Sequence, residues 1–415
     1  MATQKTANEA WIIDAVRTPR GIGKQGKGAL AHLHPQHLSA TVLRALAERN
    51  DLATDEVDDV IWGCSAQVGR QGACVGRMSV LDAGWDTKAS GVTLDRFCGS
   101  GITSVNLAAA SLMSGMEDCV VAGGVEMMSF TATLPPGLLD AGNLHLRDLH
   151  PQPHQGICAD IIATLEGITR EQVDALALES QRRAARAIEG GYFQSSVVPV
   201  HNEDGSLALD REEFPRPQTT AEGLAKLPPV FSNFMPMPCD AATGETFDHL
   251  VKRKFPDLVI NHVHHAGNSS GVVDGSAGLL LASPGYAKAR GWEPRARVVA
   301  MANAAGSPEL MLNEPVPAAK KVLAKAGMTL ADIDLFEINE AFAVVAYKFM
   351  RDLGIDPDKC NVNGGAIALG HPIAATGSIL IGTLLDELER RDLSTGLVTM
   401  CAAGGMAPAI IIERI

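Results

Sequence analysis

The sequence predicts an α/β protein made of two like halves, with a stretch of different texture between them. Three observations carry this prediction. Short apolar runs alternate with longer segments whose apolar residues recur at helical spacing. One βα unit occurs twice, at a steady offset of roughly 275 residues. Between the copies, Pro135 to Pro238 holds 11 of the chain's 22 prolines, so that part reads as irregular structure laid over a surface, where substrate contacts usually reside.

At 415 residues and 46% hydrophobic, the chain can bury two or more cores. Its net charge of −13 argues against nucleic acid or anionic membrane as a partner. No apolar run approaches the roughly 20 residues of a membrane span. Met1–Ala10 is polar and lacks an apolar signal core, so a cytoplasmic protein is expected. Eight cysteines without a CxxC pair fit reduced thiols better than a disulfide frame or a zinc site.

Trp11–Val16 reads as a strand. The stretch Gly21-Ile22-Gly23-Lys24-Gln25-Gly26 formally matches a dinucleotide loop. Pro19 separates it from the strand and Gly28 delays any helix, so a mobile surface loop is expected. His37–Asn50 reads as a helix and Val60–Gly63 as a strand. Ser90–Leu94 is a further strand entering the turn Asp95-Arg96-Phe97-Cys98-Gly99-Ser100-Gly101. Ile102, Val105, Leu112 and Met113 then recur at helical spacing, and Cys119–Ala122 is a buried strand closed by Gly123-Gly124. Cys98 thus sits where a strand turns into a buried helix. The helix dipole there favours thiolate over thiol, and unpaired N–H groups are available to an oxyanion.

The second copy of the unit aligns Thr329 with Thr54, follows a helix at Val316–Lys325, and ends on Gly404-Gly405 as the first ends on Gly123-Gly124. Superposition on this basis puts Cys98 and His371 at equivalent helix starts. Within the middle segment, Thr169-Arg170-Glu171-Gln172 opens a helix with a capping box, and Gly190-Gly191 stops it. Arg182, Arg183 and Arg186 on this helix read as a solvated basic face, with phosphate contact the alternative. Phe231–Pro256 has no clear periodicity. His262 and His264 share a face by strand alternation, but no carboxylate or cysteine stands near them in sequence, so no metal is expected.

Four elements now stand together in order: Cys98, Asn339-Glu340-Ala341-Phe342, Gly370-His371-Pro372 through Thr376-Gly377, and Cys401-Ala402-Ala403-Gly404-Gly405. With Ile13–Pro19, Gly123–Ser129 and Ala266–Gly271 they make a chain that resembles the thiolase family of acyltransferases over nearly its whole length. The resemblance implies a duplicated, layered αβαβα fold with an inserted loop domain that holds coenzyme A. The first half would span 1–128 plus about 272–294, the inserted domain 129–271, and the second half 295–415. It implies Cys98 as acyl-accepting nucleophile, His371 as its base and Cys401 as second acid/base. Asn339 would hold a water that binds one oxyanion with His371. The amides of Cys98 and Ala403 would bind the other. Arg216, Leu227, Ala266 and Ser270 align with coenzyme A contacts, and His154 with the pantetheine channel.

These residue types suit cleavage of a 3-oxoacyl-CoA. A soft thiolate attacks the ketone and leaves a reactive thioester, while an acid protonates the departing acetyl-CoA carbanion. His371 would then deprotonate incoming coenzyme A. No bound cofactor or metal is implied, coenzyme A being substrate, and a homodimer or homotetramer is. Ala403 departs from the glycine common at its position, which bears on the turn's geometry. Gln155 departs from a common methionine, and His265 from a threonine. The stretch Phe231–His262 is long, which points to a longer or bulkier acyl chain. The rival readings are a β-ketoacyl synthase-type condensing enzyme, which lacks a cysteine at the position of Cys401, and a non-catalytic acyl-CoA or lipid carrier, which would have lost one of Cys98, His371 or Cys401.

Overall fold

A computed structural model describes residues 9–135 and 137–415. The first half contains β1 (Trp11–Arg17), α1 (Pro35–Asn50), β2 (Asp59–Gly63), α2 (Val75–Asp82), β3 (Val92–Leu94), α3 (Ser100–Ser114) and β4 (Cys119–Met127). The middle segment carries α4 (Gln155–Leu165), α5 (Arg170–Glu189) and α6 (Phe247–Lys254). Then follow β5 (Val273–Ala282), β6 (Ala296–Ala305), α7 (Pro315–Ala326), β7 (Leu335–Ile338), α8 (Ala343–Leu353), α9 (Thr376–Arg390), β8 (Thr395–Thr399) and β9 (Met406–Arg414).

The strands run in the order β3-β2-β4-β5-β1 and continue as β6-β9-β8-β7. Among the described residues, the strand pairs Trp11–Arg297 and Ile12–Ala296 alone join the two groups. Each half repeats one pattern. β2 is parallel to β4 as β7 is to β8, while β5 and β9 run antiparallel to their neighbours. Helices α1 and α2 cover the outer face of the first sheet, and α7 and α8 that of the second. Helices α3 and α9 lie between the sheets, where Ile102, Val105, Leu112, Ile381, Leu384 and Leu388 form one core with apolar residues of both sheets. This is the αβαβα layering. Helix α9 is buried from Thr376 to Leu388 because it meets a sheet on either side.

A repeated hydrogen-bond pair sets the register of the duplication. The Asp58 carboxylate accepts from the amides of Asp118 and Cys119, and Asp334 accepts from Ser394 and Thr395 in the same way. Asp58 therefore matches Asp334, one residue off the Thr54–Thr329 alignment. In this register α3 and α9 start together, at Ser100 and Thr376, and Gly101 pairs with Gly377. The helix starts cross so closely that a Cβ on Gly101 would lie 2.7 Å from the Ser378 nitrogen, and one on Gly377 2.2 Å from that of Ile102. Glycine is required there by contact.

Two expectations from sequence are corrected here. Gly123-Gly124 does not close its strand, since β4 runs on to Met127. A Cβ on Gly123 would lie 2.1 Å from the Ala277 carbonyl and 2.6 Å from the Trp62 ring, so glycine serves close packing inside the sheet. Gly404 and Gly405 lie beyond β8, in a turn at φ 77 and 73, and are not their equivalents. The Gly21–Gly26 stretch is held at its start, where Gly21-Ile22 pairs with Val273-Asp274 and Glu213 accepts from the Ile22 amide.

Polar anchors fasten the middle segment to this frame. Burial alone would raise the Glu212 carboxyl, but Arg17 at 2.6 Å and Arg20 at 2.8 Å hold it down at about 2. Asp160 of α4 accepts from the amides of Val263 and His264 and from both His262 Nδ1 and His264 Nδ1, each at 2.7 Å. The two histidines thus share a carboxylate remote in sequence. Among the described residues no group of three or more such side chains is placed to hold a metal. The capping box at Thr169 and Gln172 is formed, and α5 ends at Glu189 before Gly190. All eight cysteines are unpaired.

Candidate active site

The site is built at the turn before α3. Phe97 adopts φ 50, a left-handed conformation rare for a bulky residue. Its amide donates to Asp95 Oδ1 at 2.6 Å. The Ser100 hydroxyl locks the turn further, accepting from the Arg96 amide at 2.9 Å and donating to the Phe97 carbonyl at 2.7 Å. Cys98 follows, and its side chain lines a cavity of about 480 Å³. His371, Ala403, His154 and Ser270 line the same cavity. A Cβ on Gly99 would touch Pro408 at 2.8 Å and Ala402 at 3.4 Å, so the Cys401 segment packs directly on the Cys98 turn.

Electrostatics change the picture drawn from the helix dipole. Burial pushes the Cys98 thiol well above the ordinary cysteine range, and nearby Cys401 and Glu126 add to the rise. Desolvation here outweighs the helix start. The sulfur rests as a thiol and needs a base. His371 is suited to be one. Burial lowers its pKa to about 4, so its imidazole is neutral near pH 7. Its Nδ1 lies 2.6 Å from Thr376 Oγ1, and its Nε2 3.3 Å from Asn339 Nδ2. With Nδ1–H donating to the threonine, Nε2 is left as the acceptor. Asn339 Oδ1 is buried with no protein partner, as a water-binding atom would be. The Cys401 thiol is pushed up to about 12 by burial and stays protonated.

Sequence superposition paired Cys98 with His371. The structural register instead pairs Cys98 with Ala374, and His371 reaches in from the turn before it. Glu126, which sequence reading left without a role, explains why that turn holds still. Its buried carboxylate accepts from the Ser65 hydroxyl, from Gln71 and from the Ala374 amide. Ala403 is not at positive φ; the left-handed residues of that turn are Gly404 and Gly405. Alanine therefore fits the position without strain. Neither the Cys98 nor the Ala403 amide has an acceptor among the described residues.

The remaining expected residues lie at different depths. His154 caps α4 by accepting from the Gly156 amide at 3.1 Å, and its ring packs against Phe231, Phe234 and Phe247. Ser270 reaches the cavity, while Arg216, Leu227 and Ala266 are exposed outside it. Leu227 packs on Gly267, and Arg216 lies over Phe214, which packs on Gly271. The three arginines of α5 are engaged elsewhere. Arg182 and Arg183 pair with Glu179, and Arg186 donates to the Val362 carbonyl. Thr376, Phe247, Leu138 and Leu139 complete the site and were not singled out from sequence. Thr376 stood inside the Gly370–Gly377 motif; the others carry no local signal.

Comparison with known proteins places this geometry. Residues 10–234 match the thiolase N-terminal domain and residues 292–414 the thiolase C-terminal domain. The chain is 40% identical to an Escherichia coli acetyl-CoA acetyltransferase, covering 97% of this chain and 98% of that one. It is 38% identical to a Mycobacterium tuberculosis steroid 3-ketoacyl-CoA thiolase, over 98% of this chain and 94% of that one. It is also 38% identical to a Pseudomonas putida beta-ketoadipyl-CoA thiolase, over 98% and 100%. The crystal structure of a Bacillus anthracis acetyl-CoA acetyltransferase superposes with a TM-score of 0.83 at 33% identity, covering 99% of this chain and all of that one. The chain belongs to the thiolase family.

Proposed function

We propose that this chain transfers an acyl group between a 3-oxoacyl-CoA and coenzyme A through an acyl-Cys98 intermediate, releasing acetyl-CoA, with the reverse Claisen condensation open to the same groups. One observation carries the reading. The half-buried Cys98 thiol and a neutral imidazole line one cavity, and the segment carrying a second, buried thiol, Cys401, packs on the Cys98 turn through Ala402. Relatives that are acetyl-CoA acetyltransferases and 3-ketoacyl-CoA thiolases support an activity of this class.

His371 Nε2 takes the Cys98 proton as the sulfur attacks the ketone carbon. The oxyanion is met by the resulting imidazolium and a water held by Asn339. The bond between the ketone carbon and its α-carbon breaks, and Cys401 protonates the departing acetyl-CoA carbanion. Proton balance then revises one expectation from sequence. His371 already holds a proton, so the Cys401 thiolate is the group that deprotonates incoming coenzyme A. The coenzyme A thiolate attacks the thioester, its oxyanion is met by the Cys98 and Ala403 amides, and the released Cys98 sulfur recovers its proton from His371.

Residues 129–271 are assigned to coenzyme A, with Arg216 over Phe214 outside the cavity and Ser270 and His154 within it. A homodimer or homotetramer in the cytoplasm completes the reading. Among the described residues no helix is long and apolar enough to cross a membrane. The test is acetyl-CoA release from a 3-oxoacyl-CoA plus coenzyme A, with the acyl-Cys98 adduct read by intact mass. A protein inert to these thioesters, and active only on acyl-carrier-protein substrates, overturns it.

A further inference from the structure

The far wall of the cavity is made by two segments joined, among the described residues, by side-chain ion pairs. One is the loop carrying Leu138 and Leu139; the other is the stretch around α6, which presents Phe247. Helix α6 is seated by Leu250 and Val251, buried on the same face as Phe247 at helical spacing. An ion cluster, buried at Arg147, Asp140 and Glu245 and exposed at Asp148, binds the two segments together. Arg147 lies 2.8 Å from Asp140 on its own loop, and pairs with Asp240 and, at 3.4 Å, with Glu245 across the gap. Arg253 of α6 reaches back to Asp148 at 2.8 Å and also holds Glu245. Every carboxylate of the cluster is engaged, so the two segments are held to each other.

The cavity lining is mixed but uncharged: Leu138, Leu139, Phe231, Phe247, Met311 and Phe342 supply its large apolar side chains, beside neutral polar groups such as Gln152 and His154. Among the described lining residues none is Lys, Arg, Asp or Glu. Ser270 and His154 are assigned to coenzyme A, so part of the lining faces pantetheine; on the rest, each methylene added beyond a four-carbon acetoacetyl group buries more apolar surface. A terminal carboxylate on the chain would be buried without a cation, a costly arrangement. Arg147 offers no relief, being saturated by its own carboxylates and absent from the lining.

We infer that this thiolase selects 3-oxoacyl-CoA substrates with a neutral, apolar acyl chain longer than acetoacetyl, and that Phe247 and the Arg147 cluster set this preference. Phe247 touches the chain; Arg147 is a positioning residue that holds the roof over it. The inference rests on the thiolase reading above.

The test measures kcat/KM of the purified full chain with coenzyme A and four thioesters: acetoacetyl-CoA, 3-oxohexanoyl-CoA, 3-oxooctanoyl-CoA and 3-oxoadipyl-CoA. The expected result is a rise of roughly fourfold per added methylene along the neutral series. The 3-oxoadipyl thioester should fall at least about tenfold below its six-carbon neutral counterpart. Phe247→Ala should lower the octanoyl-to-acetoacetyl ratio about tenfold. Arg147→Lys, which keeps the charge but loses the forked contact, should lower the same ratio by a smaller factor, whereas a purely structural role would scale all thioesters alike. A series that peaks at acetoacetyl-CoA, a 3-oxoadipyl rate equal to the 3-oxohexanoyl rate, or uniform losses in Phe247→Ala overturn this inference alone. No turnover with any thioester overturns the thiolase reading and this inference together.

Discussion

At the opening of α3 the chain passes through Phe97 at φ 50 and then Cys98; at the matching opening of α9 it passes through Ile373 and Ala374. Glycine and helix start correspond, but the backbone does not, since Ile373 is not left-handed, and the two turns do opposite things. The first turns a thiol into the cavity. The second is pressed into the first, with the Ala374 carbonyl 2.8 Å from where a Gly101 Cβ would stand and its amide held by Glu126. Immobilising that second turn is what lets the preceding residues, through His371, aim an imidazole at the cavity. Duplication supplied two like helix starts, and the chemistry came from making them unlike.

The comparison breaks most sharply at the sulfurs. Cys98→Ala should lower turnover by at least about 10⁴-fold and remove the acyl adduct from the intact mass spectrum. Cys401→Ala should lower turnover by roughly 10²- to 10⁴-fold while leaving Cys98 acylation by acetyl-CoA detectable; equal loss of acylation in both variants would refute the division of roles. The shared geometry of the helix starts is tested by Gly377→Ala. Its Cβ meets backbone at 2.2 Å, so a loss of about 3 kcal/mol or more is expected by denaturant titration, with Gly101→Ala losing a similar amount.

Smaller changes sharpen the second turn's role. Thr376→Val leaves His371 Nδ1–H without its acceptor, and kcat should fall by about 10- to 100-fold with the fold intact by circular dichroism. Last, pH should matter little. The His371 pKa is depressed to about 4, so the base stays neutral as pH falls through the ordinary histidine range. Cys401, at about 12, keeps its proton as pH rises. Single-turnover acylation from a 3-oxoacyl-CoA should therefore change by less than about twofold between pH 6 and 9. An acid limb near 6.5 would show that His371 is solvated during the reaction.

Much of the candidate site was legible before the fold was known. Cys98, Asn339, His371, Cys401 and Ala403 stand in short motifs whose glycines and order are specific, and the capping box at Thr169 marked a helix start from four residues. Other features had no local signature. Asp160 serves His262 and His264 across about a hundred positions, Glu126 reaches Ala374, and Arg147 finds Asp240 and Glu245. Phe231–Pro256 showed no period because only Phe247, Leu250 and Val251 of its short helix face inward.

The order of chemical groups, the doubling of the βα unit and the class of reaction were determined by the sequence alone, because residue types and their spacing are one-dimensional properties. Tertiary structure decided which turn matches which, that a Cys98 thiol and a neutral His371 line one cavity, and how far that cavity extends. Those outcomes depend on desolvation and close contact, and both arise only when residues hundreds of positions apart exclude water from the same space.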